Sequence, residues 1–235
     1  MHPHHLFFSL ITFIIRKVYS NKNWSIKVFK ITNWTKYIPL TQSDVTINKG
    51  LRRGKQMDKL YSLLTRKSEF NIPTKLIPIP TISSETGLVI CTVHLPLAKV
   101  GLRTLLENNF YIDYALVGGA TKDGKLAVWG TRKKLNILVR NNSVLLKAKK
   151  LLEQKKRIIL MCDNSKTGEI STNIFKIVNK SNAKIIYLFY QLENDNTLTT
   201  WLKFPSYPFC SNDQEIAINV KELMEERDKV IKHYR

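Results

Sequence analysis

What most constrains the fold is the regular alternation, from residue 86 onward, of short apolar runs with amphipathic stretches. "LVICTV" (88–93) is apolar but for Thr92, which reads as a strand buried on both faces. The next fifteen residues, 95–109, carry helical spacing; Pro96 fits a first turn, and Asn108 and Asn109 suit an end. "FYIDYALVGG" (110–119) is a second strand, closed by a glycine pair. Strand, helix, strand implies a parallel pair joined by a right-handed crossover.

The pattern then repeats. "KLAVWG" and "KLNILVR" are short strands, or a strand and a loop. "SVLLKAKKLLEQKK" (143–156) is a helix with Ser143 as N-cap and an apolar stripe of Leu145, Ala148, Leu151 and Leu152. "RIILMC" is a further strand, ending at Asp163 and Asn164. A helix over 171–182, strands over 183–191 and 197–204, and a charged amphipathic helix over 213–235 complete the chain. Upstream, Met57, Leu60, Leu63 and Leu64 place a helix over 52–70, and the three prolines of 71–80 make an extended connector. The expectation is an α/β fold with a mainly parallel sheet flanked by helices, behind an N-terminal hydrophobic, helical extension.

That extension begins "MHPHHLFFSLITFIIRKVYS". Its apolar run, Leu6 to Ile15, has ten residues, too few for an ordinary span of about 20. No small-x-small cleavage site follows, and Arg16, Lys17, Trp24 and Lys27 do. Basic and aromatic residues after an apolar stub suit an interfacial anchor. The expected division is therefore residues 1–35 as a membrane-interfacial segment and 36–235 as one α/β domain.

Charge narrows the partners. Lys and Arg number 38 against 18 Asp and Glu, a formal net charge of +20, which implies an anionic partner. Between Lys122 and Arg157 stand twelve Lys or Arg against two acidic residues, Asp123 and Glu153. Arg132 and Lys133 fall in a loop suited to the phosphate or carboxylate of an anionic lipid. The lysines of 147–156 line a helix and read mostly as a solvated face. No recognition helix, RNA-binding aromatic signature or zinc finger accompanies the charge, so no specific nucleic acid is expected. The three cysteines, Cys91, Cys162 and Cys210, form no metal spacing, and two sit inside apolar runs as reduced core residues. No metal and no bound cofactor is expected.

In parallel α/β sheets, ligands bind beyond the carboxyl ends of the strands. His94 and Asp163 each follow an apolar strand directly. A histidine there can act as a general base, provided a carboxylate holds its tautomer. From Gly87 to Phe204 the order of elements, "VICTVH" and "KAKKLLEQKKRIILMCDN" resemble the lysophospholipid acyltransferase superfamily. The resemblance is nearest the lipid A lauroyl/myristoyl-type acyltransferases of Gram-negative bacteria. In that family a strand ends in His-x4-Asp or His-x4-Glu, and the histidine deprotonates an acceptor hydroxyl that attacks an acyl thioester. The resemblance implies His94 as base and an acyl-CoA or acyl-carrier-protein donor. It also implies an anionic lipid or glycolipid acceptor, and a place on the cytoplasmic face of the inner membrane. Cys162-Asp163-Asn164 stands where the family has Pro-Asp-Gln, which puts Asp163 and Asn164 with Arg132 and Lys133 in the substrate-binding set.

The sequence departs from the family at the orienting carboxylate, where it has Lys99. A lysine cannot accept an imidazole N–H. Glu85, Asp113 and Asp163 are the alternatives. Three functions are open: an active acyltransferase, a degenerate member that binds lipid or a partner, and a basic nucleic-acid-binding protein.

Overall fold

The computed structural model describes residues 72–83, 85–118, 124–128, 133–164, 167–195 and 197–233, with Gly54, Lys55 and Asp58. Most of the helix expected over 52–70 and the whole 1–35 segment lie outside the described residues; Gly54, Lys55 and Asp58 are helical. The chain divides into two compact units, Met1–Asn71 (with Arg235) and Ile72–Tyr234.

The described strands, all in the second unit, are β1 (Thr74–Leu76), β2 (Leu88–Thr92), β3 (Tyr114–Val117), β4 (Lys125–Ala127), β5 (Lys134–Val139), β6 (Arg157–Met161), β7 (Lys184–Leu192) and β8 (Leu198–Lys203). The helices of that unit are α1 (Ala98–Glu107), α2 (Val144–Glu153), α3 (Asn173–Lys180) and α4 (Asp213–His233). The eight strands form one sheet in the order β1-β8-β7-β2-β6-β3-β5-β4. Its pairs are parallel except β7 with β8 and β4 with β5. This is an α/β fold with a mostly parallel sheet.

β2 is central, hydrogen-bonded to β6 and β7, and every one of its five residues is buried. A parallel strand covered by helices on both sides has no wet face, and this explains the near-continuous apolar run. The chain leaves β2 through α1 toward β3, then returns through α2 to β6 and through α3 to β7. Right-handed crossovers that run in opposite directions put their helices on opposite faces. Accordingly α1 packs on β7, β8 and β1, while α2, α3 and α4 pack on one another and on β5, β6 and β7. Gly101 of α1 lies against Tyr190 of β7; a Cβ there would come 2.7 Å from the tyrosine ring.

Three expectations are corrected in detail. The 71–80 connector contains β1, which pairs in parallel with β8 at the sheet edge. Its prolines, Pro73 and Pro78, flank the strand, a tolerated place because an edge leaves backbone N–H groups unused. The buried stripe of α2 is Val144, Ala148 and Leu152: Ala148 and Leu152 are as expected, Val144 takes the place of Leu145, which is exposed, and Leu151 is half-buried. Ser143 does stand before α2, but its side chain makes no cap; its N–H and hydroxyl both donate to Asn141 Oδ1.

All three cysteines are free and buried. Burial pushes the Cys91 thiol well above its ordinary value, with Cys162 on the adjacent strand adding to the effect. Burial also raises Cys210, to about 11. Thiols held protonated in this way are poor nucleophiles and poor metal ligands.

Candidate functional site

β2 and β6 run parallel in register, Leu88 beside Arg157 through Thr92 beside Met161. Their C-terminal ends therefore fall together, and the residues just beyond them, His94 and Asp163, become neighbours. Cys162 N–H donates to Thr92 C=O at 2.8 Å, which extends the pairing past the strand ends.

His94 Nδ1 lies 2.7 Å from Asp163 Oδ1. A carboxylate only accepts, so the bond requires the proton on Nδ1, and in the neutral ring Nε2 then carries the free lone pair. The main-chain N–H of His94 donates to the same carboxylate, at 2.9 Å to Oδ1 and 3.1 Å to Oδ2. One aspartate thus fixes both the backbone and the ring of one histidine. The Asp163 side chain is 5% exposed and that of His94 is 40% exposed. Burial of a carboxylate is costly unless hydrogen bonds replace its water, and these three contacts do so. The result is a buried acceptor behind an accessible base.

Each half of the pair sits in a defined loop. Asp163 opens a tight hairpin: it bridges Ile170, Asn164 N–H donates to Glu169 C=O, and Gly168 N–H donates back to Asn164 C=O. Gly168 has φ +72°, a conformation in which a side chain is strained. Asn164 is exposed in this turn, next to the dyad. On the other side, Leu95 N–H donates to Val93 C=O, which folds the chain sharply around His94 before α1 begins.

The three alternative carboxylates separate cleanly. Glu85, which precedes β2, pairs with Lys155 at 2.9 Å, and that ammonium lowers its pKa. Asp113, which precedes β3, accepts from Arg157 N–H at 2.8 Å and lies 3.6 Å from Lys156. Both stand at the N-terminal edge of the sheet, a strand length from His94. Asp163 alone of the three reaches it. The sequence reading put Asp163 in the substrate-binding set; its carboxylate is instead on the imidazole.

Lys99 is exposed in the first turn of α1, on the same edge as His94. Lys133, expected in a loop suited to an anionic lipid group, precedes β5 directly. Its ammonium donates to Leu106 C=O at 2.6 Å, at the C-terminal end of α1, where a cation is favoured by the exposed carbonyls. That end of α1 is at the N-terminal edge of the sheet, so Lys133 and the dyad are apart. Arg132 lies outside the described residues.

A further contributor comes from the strand expected over 183–191. Tyr190, fully buried in β7, donates its hydroxyl to Val93 C=O at 2.8 Å and lies 3.4 Å from Leu95 C=O. The signal was a tyrosine, rather than a phenylalanine, in an apolar strand, since a buried phenol needs an acceptor. Among the described residues no group of three or more His, Cys, Asp and Glu could hold a metal ion.

Compared with known proteins, the chain matches no family model, and no curated protein matches it.

Proposed function

We propose that the protein is an acyltransferase that moves a fatty acyl group from a thioester donor to a hydroxyl of a lipid or glycolipid acceptor. The observation that carries this reading is the His94–Asp163 pair at the C-terminal edge of a parallel sheet. His94 Nε2 takes the proton of the acceptor hydroxyl as the oxygen attacks the thioester carbonyl. The C–S bond then breaks, and the departing thiolate receives that proton. Asp163 keeps Nδ1 protonated and stabilises the imidazolium that forms in between.

In this reading the nucleophile is the acceptor's own hydroxyl, as direct transfer requires. Donors of the acyl-CoA or acyl-carrier-protein type and an anionic acceptor suit a chain of net charge +20. We place the reaction at the cytoplasmic face of the plasma membrane. Among the described residues no helix is long and apolar enough to cross a membrane. The proposed attachment is through the 1–35 segment and surface charge.

One observation favours a second reading. Lys99 occupies the position of the family carboxylate, as in a degenerate member that binds lipid without chemistry. Mass spectrometry of an acyl thioester incubated with glycolipid and phospholipid acceptors decides between them. The expected result is acylated acceptor with the unaltered protein and none with His94→Ala, both proteins giving the same circular dichroism. Acylation that persists in His94→Ala would sink the first reading. Lipid binding without product in the unaltered protein would establish the second.

A further inference from the structure

We propose that Tyr190 and Arg227 are positioning residues that hold the two halves of the His94–Asp163 pair from distant parts of the chain. The idea rests on the general-base reading for its significance, though not for its test.

Among the described residues, the three longest-range bonds from a side chain to a main-chain carbonyl all end on the two loops that carry the pair. Two share the single Tyr190 hydroxyl proton, a 2.8 Å bond to Val93 C=O and a longer 3.4 Å contact to Leu95 C=O, across 97 and 95 residues. These carbonyls flank His94 on either side. The third comes from Arg227 of α4, whose Nη1 donates to Gly168 C=O at 2.6 Å across 59 residues. Gly168 is in the turn of the hairpin that begins at Asp163.

Both supports are closely packed. The Tyr190 ring is clamped between its strand and Gly101 of α1, where no side chain fits without displacing it. Arg227 is held by Asp228 at 3.1 Å and is only 16% exposed. A Cβ at Gly168 would meet Arg227 Nη1 at 3.3 Å, so the turn and the guanidinium are fitted to one another. The pair bond is a single contact between two loops, each of which must arrive at the right height. A side chain anchored in β7 sets the height of one loop, and a side chain anchored in α4 sets the other. A site held within a fraction of an ångström needs this kind of outer support.

A control is built into the same strand. Tyr187 is equally buried, and its hydroxyl donates to Asn219 C=O at 2.7 Å, away from both loops. It satisfies a phenol with a carbonyl just as Tyr190 does, without touching the site.

The test reads the His94 tautomer directly in the full chain labelled with ¹⁵N-histidine, its resonance assigned with His94→Gln. In the unaltered protein the proton sits on Nδ1. Tyr190→Phe and Arg227→Gln are each expected to shift the tautomer ratio toward Nε2–H by about fivefold, the weight of one lost hydrogen bond. Tyr187→Phe is expected to lower stability as much as Tyr190→Phe while leaving the ratio unchanged, and Arg227→Lys to recover part of the Arg227→Gln shift. An unchanged ratio in Tyr190→Phe and Arg227→Gln, or an equal shift in Tyr187→Phe, overturns the proposal. If Tyr190→Phe does not fold, the two Arg227 variants decide it. Should the ratio respond as expected while the unaltered protein transfers no acyl group, the positioning roles stand and the general-base reading falls.

Discussion

The two edges of the sheet hold the same kinds of groups and use them differently. At the N-terminal edge, Glu85 and Asp113 face Lys155, Lys156 and the Arg157 amide, each carboxylate matched to a cation or N–H beside it. At the C-terminal edge, Asp163 holds one ring nitrogen of a histidine whose side chain is 40% exposed. Pairing completes the first edge, while the second holds a base ready for a proton. The difference lies in the partner: a lysine ends the chain of contacts, whereas an imidazole passes it on through its far nitrogen.

That comparison is broken most forcefully at Asp163. Asp163→Asn removes the charge behind the imidazole, and acyl transfer is expected to fall about 10²–10⁴-fold in initial-rate assays. Asp113→Asn, the matching change at the other edge, is expected to leave the rate unaltered and to lower stability in urea by about 1 kcal/mol. Equal rates for the two variants would erase the distinction between the edges.

Two glycines sharpen it further. An alanine Cβ at Gly87 would collide with the main-chain carbonyl of Leu152, and at Gly101 with the Tyr190 ring. Each substitution is expected to cost about 1–3 kcal/mol in denaturant unfolding. Gly87→Ala should stop there. Gly101→Ala should also slow transfer, because the displaced ring is the one that holds the His94 loop; equal rates in the two variants would remove that link.

The smallest effect concerns pH. Burial pushes the Glu226 carboxyl up, but hydrogen bonds from Lys203 and Lys229, each at 2.8 Å, outweigh it and hold its pKa below the ordinary 4.5. A depressed carboxyl contributes stability above its unfolded value and loses it as pH falls through the folded one. The unaltered protein should therefore lose about 0.5 kcal/mol more than Glu226→Gln on acidification below pH about 4.5, a modest amount because the lysines are solvated. Identical acid titrations of unfolding for the two proteins would refute it.

Much of the fold was legible because burial on both faces leaves a near-continuous apolar run, and "LVICTV", "RIILMC" and "KIIYLFYQ" became the three central strands. The edge strand β1 was not, because three residues between prolines carry no period. Of the α2 stripe, Ala148 and Leu152 were legible, but the first turn was not, because Val144, Leu145 and Leu146 are all apolar and only packing chooses Val144. His94 was visible through its place after a strand. Its partner was not, because the family spacing pointed to residue 99, and nothing in a linear text ranks Glu85, Asp113 and Asp163.

The amino-acid sequence by itself determined the alternation of strands and helices, the burial of the central strands and the position of His94 at the ligand edge. Those come from periodicity and chain direction, which are local properties. Only the tertiary structure decided that Asp163 serves His94, that Lys133 caps a helix at the far edge, and that Tyr190 and Arg227 reach the two site loops. The order in which β2, β6 and β7 stand side by side brings residues 69 and more positions apart into contact. Strand order is a property of the assembled sheet, and no short-range pattern encodes it.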